Sequence, residues 1–392
     1  MIFVARWLAA LLLLAMPSIG LADGLRGTGN LGLVIERATG SVLIVDTGAR
    51  QTLGRVEGVG DLSHASVVFS PDQRYGYVFG RDGGLTKIDL LTSAIAARVV
   101  QAGNSIGGAI SDDGELIAVS NYEPGGVRVF DARTLALVAD IPAIGADGKA
   151  SKTVGLVDLP GRRFAFALYN AGEIWIADLS NVETPAITRL TGVGKLPYDG
   201  NVTPDGRHYL AGLFGEDGVV HVDTWQSPLK AERILDRYGH GEEPLPVYKM
   251  PHLEGWAAVG DRLLLPAVGR HELIAVDTRS FTEAGRIATH GQPVFAVARP
   301  DGRHVWVNFA HPFNDTIDIV DTLTLKVIHR FAPGPAVLHM EFTPRGNEVW
   351  VSVRDADSVD IYDAATFVRK GQIPAQKPSG IFFTARATRI GQ

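Results

Sequence analysis

No cysteine occurs in the 392 residues. That excludes a disulfide framework, a thiolate metal site and attachment of a c-type haem through C-x-x-C-H. Charge of one sign is lacking too: 37 basic against 43 acidic residues leave a net charge of −6. A nucleic-acid or anionic-membrane partner read through bulk charge is therefore not expected. Long apolar runs are missing except at the start. Met1 to Ala22 carries Arg6, an apolar stretch from Trp7 to Met16, and Gly20-Leu21-Ala22. This is the order of a secretory signal peptide, with cleavage expected after Ala22. The alternative is an uncleaved anchor, for which the run is short. Cleavage removes Arg6 and takes the net charge from −6 to −7. The domain reading is a signal peptide over 1–22 and one domain over 23–392, working in the periplasm with no membrane span after cleavage.

What is abundant is turn chemistry. Forty-five glycines and 21 prolines in a chain that is 46% hydrophobic imply many short strands joined by tight turns. One unit recurs along the chain. Its third strands read VLIVD, LTKID, VRVFD, IWIAD, VVHVD, LIAVD, IDIVD and VDIYD, ending at Asp46, Asp89, Asp131, Asp178, Asp223, Asp277, Asp321 and Asp363. The spacings are 43, 42, 47, 45, 54, 44 and 42 residues. Four alternating strands at this period, repeated eight times, predict an all-β, eight-bladed β-propeller. The repeated aspartate is expected to cap the turn that follows it. Turns such as Pro204-Asp205-Gly206 and Pro300-Asp301-Gly302 fix the first two strands of each unit. The first copy lacks an inner strand, while Pro378–Phe383 at the other end has that pattern and nothing after it. The C-terminal strand is thus expected to complete the N-terminal blade, closing the ring and removing exposed sheet edges.

This topology places the inner-strand starts and the loops between second and third strands on one face. The starts lie near His64, Ser105, Lys152, Tyr198, His252 and His339, among others. The loops carry Arg81-Asp82, Tyr122-Glu123, Arg270-His271 and Arg354-Asp355. Convergence of such groups on one mouth is what a binding site requires. His64, His252 and His339 can face the axis, where a neutral imidazole serves as metal ligand, acid or base. The insertion Asp236–Pro251 could be a lid over this mouth or a solvated loop.

Two short motifs lack the context their chemistry needs. Gly27-Thr28-Gly29-Asn30-Leu31-Gly32 matches G-x-G-x-x-G, but no strand precedes it and no helix follows to hold a pyrophosphate. Gly103-Asn104-Ser105-Ile106-Gly107 matches G-x-S-x-G, yet it enters an inner strand and not a strand-to-helix elbow. Neither is read as a nucleotide or nucleophile site.

Val305–Ala310 and the segment VWVSVRDADSVDIYD resemble the widespread YVTN-type propeller repeat. A more specific pattern is His64 followed by Arg74-Tyr75, Val78-x-Gly80-Arg81-Asp82 and Ile88-Asp89-Leu90. With it the mature chain resembles the NirF family of exported propellers that serve haem d1 assembly. More distantly it resembles the d1 domain of cytochrome cd1 nitrite reductase. The resemblance implies haem d1 or its dihydro precursor as ligand, with His64 as axial ligand of the iron. It places Tyr122, in Asn121-Tyr122-Glu123-Pro124, over the ring, and His252, in Pro251-His252, on the distal side. Where the reductase has His-Asp-Gly this chain has Tyr198-Asp199-Gly200, so one distal proton donor is a phenol with a reference pKa near 10. Nitrite reduction is therefore not expected. The residues expected to move protons are His252, Asp199 and Tyr198. Arg81, Lys152, Arg270 and Arg354 are expected to hold ring carboxylates, with Asp82 beside Arg81 on the same rim.

The implied role is binding of a d1-type tetrapyrrole in a late maturation or transfer step, as catalyst or as carrier. Other haem d1 assembly proteins and the nitrite reductase are the implied partners, and dimerisation stays open. The alternatives are a non-haem scaffold for a protein partner and a lactonase-like hydrolase using a divalent ion held by carboxylates such as Asp199.

Overall fold

The structure is a computed structural model that describes residues 27–239 and 255–391. The expected signal segment, His252 and most of the insertion from Asp236 lie outside the described residues. Thirty-two strands form eight four-stranded antiparallel sheets, each one blade. Blade 2 shows the pattern, with Ser66–Phe69 innermost, then Tyr75–Phe79, Gly84–Asp89 and Ala94–Val100. Inner strands of the following blades are Asn104–Ile110, Thr153–Leu159, Pro197–Val202, Ala257–Val259, Pro293–Ala298 and Val337–Phe342. Every third strand ends on the repeated aspartate. In seven copies its Oδ1 accepts the N–H two residues on, at 2.8–3.1 Å, and in the other Asp131 accepts from Thr134 at 2.7 Å. The aspartates are turn caps.

Blade 1 closes as the sequence implies. Its inner strand is Pro378–Phe383, paired with Leu31–Glu36 through Leu33 to Phe382 and Val34 to Ile381. Cohesion lies between blades, where alternating apolar faces interlock. Trp350 of blade 8 meets Phe383 of blade 1 edge-on at 5.4 Å, and both are fully buried. Phe164, Phe166 and Trp175 of blade 4 fill the space against Val127 and Val129 of blade 3.

Beyond Phe383 the chain does something the repeat pattern does not announce. Inner strands run from the mouth to the opposite face, so Thr384 begins on that second face. Thr384 is anchored to the carbonyls of Thr28 and Leu31. Arg386 then forms a buried bidentate pair with Glu341 of blade 8. Gly391 reaches Asp158 of blade 4, whose Oδ1 accepts its N–H at 2.8 Å. Blades 8 and 1 stand across the ring from blades 4 and 5, so residues 384–391 cross the axis and floor the central channel.

Asp158 is 3% exposed. Burial pushes its carboxyl up to about 7, against the Gly391 N–H that favours the ion; the Asp112 charge adds to the rise. A folded-state pKa above the unfolded one means stability is fully present below the ordinary carboxylate range and lost as pH climbs toward 7. Asp158→Asn keeps an acceptor oxygen and removes that loss. The variant is expected to match the wild type in urea melts near pH 3.5, before that loss begins. At pH 8.5 it should exceed it by on the order of 2–4 kcal/mol. An equal difference at both values would mean the carboxyl titrates normally.

Candidate functional site

The central channel holds a cavity of about 430 Å³, open toward the mouth and bounded below by Gly391. That size falls in the ordinary range for ligand sites. Its walls are inner-strand residues, mostly small or apolar: Val67, Ala109, Leu156, Val294, Phe295 and Phe382 among them. Gly108 shows why small residues stand here: a Cβ on it would lie 2.2 Å from the Phe79 ring.

Polar groups enter from the mouth. His64, two residues ahead of the blade 2 inner strand, lines the cavity with Arg81 of the same blade and Arg37 of blade 1. The residue keeps some surface open to the cavity, while its imidazole is enclosed closely enough to lose most of its hydration. Desolvation, reinforced by the charges of Arg81 and Arg37, pushes its pKa down to about 4. At neutral pH it is an uncharged imidazole, the form that ligates metals. Arg81 is positioned by its backbone N–H to the Asp61 carbonyl at 2.8 Å and lies over the Tyr122 ring at 5.2 Å. Arg37 is held below the usual guanidinium value, first by burial and then by the nearby charge of Arg354.

Across the ring stand Tyr198 and Asp199 on the blade 5 inner strand. The hydroxyls of Tyr122 and Tyr198 share a hydrogen bond that spans blade 4. The Tyr198 phenol is raised far above its ordinary value, by burial and then by the Asp199 charge. Burial alone raises the Asp199 carboxyl well above its ordinary value. The site therefore has two unlike halves, with guanidinium groups over blades 1 and 2 and no cation over blade 5.

His64, Arg81, Tyr122 and Tyr198 thus meet at one cavity, as their positions in the repeat suggested, and Asp199, singled out through the resemblance, joins them. Other expected residues sit elsewhere. Lys152 is exposed, its ammonium over the Tyr122 ring at 5.2 Å from the centroid and off the cavity wall. Asp82 pairs with Arg98, Arg270 with Asp217 and Arg354 with Asp355, none of them on the cavity wall. His252 lies outside the described residues. Arg37 was not singled out from the sequence. It occupies in blade 1 the loop position of Arg81 in blade 2, and that register was the signal. His339 joins the wall from blade 8, its Nδ1 accepting the Ile381 N–H at 3.3 Å. Among the described residues no three His, Asp or Glu side chains gather as a metal site. No helix there is long and apolar enough to cross a membrane.

Fold and cavity define the class: an eight-bladed β-propeller with a cavity in its central channel. Residues 26–387 match the family described as Cytochrome D1 heme domain, and the chain belongs to that family. It is 56% identical over 388 residues to protein NirF of Pseudomonas aeruginosa, covering 98% of this chain and 99% of that one. NirF of Stutzerimonas stutzeri is 56% identical over 369 residues, 94% of each chain. The solved structure of dihydro-heme d1 dehydrogenase NirN in complex with DHE superposes with a TM-score of 0.80 at 29% identity, covering 92% of this chain and 76% of that one.

Proposed function

We propose that this protein holds a d1-type tetrapyrrole, haem d1 or its dihydro precursor, in the axial cavity during a late maturation or transfer step of haem d1 biosynthesis. The observation that carries the reading is His64, a neutral imidazole set in a cavity wall between two guanidinium groups. A tetrapyrrole iron supplies a Lewis-acidic centre when bound. His64 offers that centre a nitrogen lone pair, and Arg37 and Arg81 offer forks to the carboxylates that such rings carry. Full-length likeness to NirF proteins and to a propeller solved with DHE supports the same ligand class. A divalent-ion hydrolase fits less well, because Asp199, the carboxylate that would hold the ion, faces no second acid in the cavity.

Tyr198 and Asp199 act on the far side of the ring. Burial holds both groups above their ordinary values, so each gives up a proton only to a strong base formed on the ligand. His252 is the third member of this group by sequence. Nitrite reduction needs readily surrendered protons and an attached electron donor. The raised Tyr198 phenol and the cysteine-free chain supply neither. Other haem d1 assembly proteins and the nitrite reductase are the partners this role requires, and export to the periplasm through residues 1–22 places it beside them.

The test is an anaerobic absorption titration of the mature protein with haem d1 and with its dihydro precursor. Saturable, red-shifted bands are expected for each. Absence of any spectral change with either ligand would replace this reading with that of a protein-binding scaffold.

A further inference from the structure

Asp199 stands on the inner strand Pro197–Val202 of blade 5, directly across the ring from the Arg37 loop of blade 1. It is 6% exposed, it lines the cavity, and its Oδ2 has no hydrogen-bond partner among the described residues. A buried oxygen left in that state is destabilising, and folded proteins satisfy nearly all such atoms. On a cavity wall, the economical explanation is that the partner arrives with the ligand.

The neighbouring phenols do not meet that need, since each already has a partner. Tyr198 is bonded to Tyr122, Tyr209 donates to the Gly155 carbonyl at 2.9 Å, and Tyr238 donates to the Pro266 carbonyl at 2.8 Å. Nor does any Lys or Arg form an ion pair with Asp199 among the described residues, so nothing there favours a carboxylate over a carboxylic acid. In this setting the side chain is a –COOH group, with one O–H to donate. Its natural complement is an acceptor without charge. An acid side chain of the ligand placed on this edge would bury its charge without a cation, whereas Arg37 and Arg81 offer two across the ring. A carbonyl oxygen has lone pairs and no charge to bury.

We propose that Asp199 donates a hydrogen bond that selects tetrapyrroles bearing a neutral carbonyl oxygen on the edge facing blade 5, with their carboxylates turned toward Arg37 and Arg81. The proposal rests on the tetrapyrrole reading above and adds orientation and substituent specificity to it. The cavity sorts the ring's periphery by charge, so a ring with carboxylates on both edges, or with no carbonyl, binds less well.

Iron deuteroporphyrin and its diformyl derivative share the same propionates and differ by two formyl carbonyls, so they isolate the effect. In absorption titrations the wild type is expected to bind the diformyl compound about tenfold tighter. That preference should collapse to within about twofold in Asp199→Leu. Asp199→Asn, which keeps an N–H donor and the shape of the site, should retain most of it. Near-ultraviolet circular dichroism of each variant shows whether the fold is intact, and the Asn variant decides the matter if the Leu variant does not fold. Equal wild-type affinity for the two compounds would overturn the proposal and leave tetrapyrrole binding standing, as would a preference that survives Asp199→Leu. Saturable binding of neither compound, nor of the d1-type ligands, would instead remove the tetrapyrrole reading itself.

Discussion

His64→Ala is expected to weaken binding of haem d1 and its dihydro precursor by on the order of a hundredfold or more, and to change the absorption spectrum of whatever still binds. Loss of a group that only orients a metal ligand costs about 10- to 100-fold in typical metal sites, and here the ligand atom itself is removed. The substitution does not threaten the fold. His64 precedes its inner strand and does not belong to a ladder. Its imidazole is already desolvated, which pulls its pKa down to about 4. Removing a group that the folded state strips of water is expected to leave the melting temperature within a few degrees or raise it. His64→Gly gives a sharper test, because added imidazole should enter the vacated space and restore both affinity and spectrum. An unchanged spectrum in His64→Ala, with affinity intact, would make His64 a packing residue and move the iron ligand elsewhere on the wall.

The fold was legible because a propeller writes itself as a repeat. Eight aspartates at near-constant spacing are local turn caps, each satisfied within three residues of itself, so the signal needs no tertiary information. Closure was legible as an accounting of strands, one missing at the start and one in excess at the end. The site was legible only in part. Position within the repeat tells which residues reach the mouth, and it brought His64, Arg81, Tyr122 and Tyr198 together; Asp199 came from the resemblance alone. It does not tell which mouth residue is spoken for by a neighbour. Arg270 pairs with Asp217, contributed by the adjacent blade, and Arg354 with the next residue in its own loop. An arginine spent on an acid beside it and an arginine waiting for a ligand look alike in a sequence. The channel floor was not legible at all. Residues 384–391 follow no periodic pattern, and the contacts that direct them, Glu341 and Asp158, lie in blades far apart in the chain.

That floor allows two truncations to be told apart. Deletion after Lys377 removes the blade 1 inner strand, and with it Ile381, Phe382 and Phe383, which are 0%, 3% and 1% exposed. Burial of three such side chains contributes about 1.5–3 kcal/mol each. Their loss, with the ladder to Leu31–Glu36, approaches the 5–15 kcal/mol that separates most native proteins from unfolding. It also leaves Leu31–Glu36 as an open edge. The expected product is insoluble or fails to melt cooperatively. Deletion after Phe383 keeps every sheet whole and removes only the crossing segment. It leaves Glu341 as a buried carboxylate without Arg386, at a cost of about 3–5 kcal/mol. Glu341→Gln in the same background should recover part of that cost, which identifies the unpaired charge as its source. The shorter deletion should therefore remain soluble, with a lowered melting temperature, and should release bound tetrapyrrole faster through the opened second face. A normally melting protein truncated after Lys377 would show that the ring closes without its C-terminal strand. Unchanged ligand release after removal of residues 384–392 would show that the crossing segment does not seal the channel, and that exchange runs through the mouth alone.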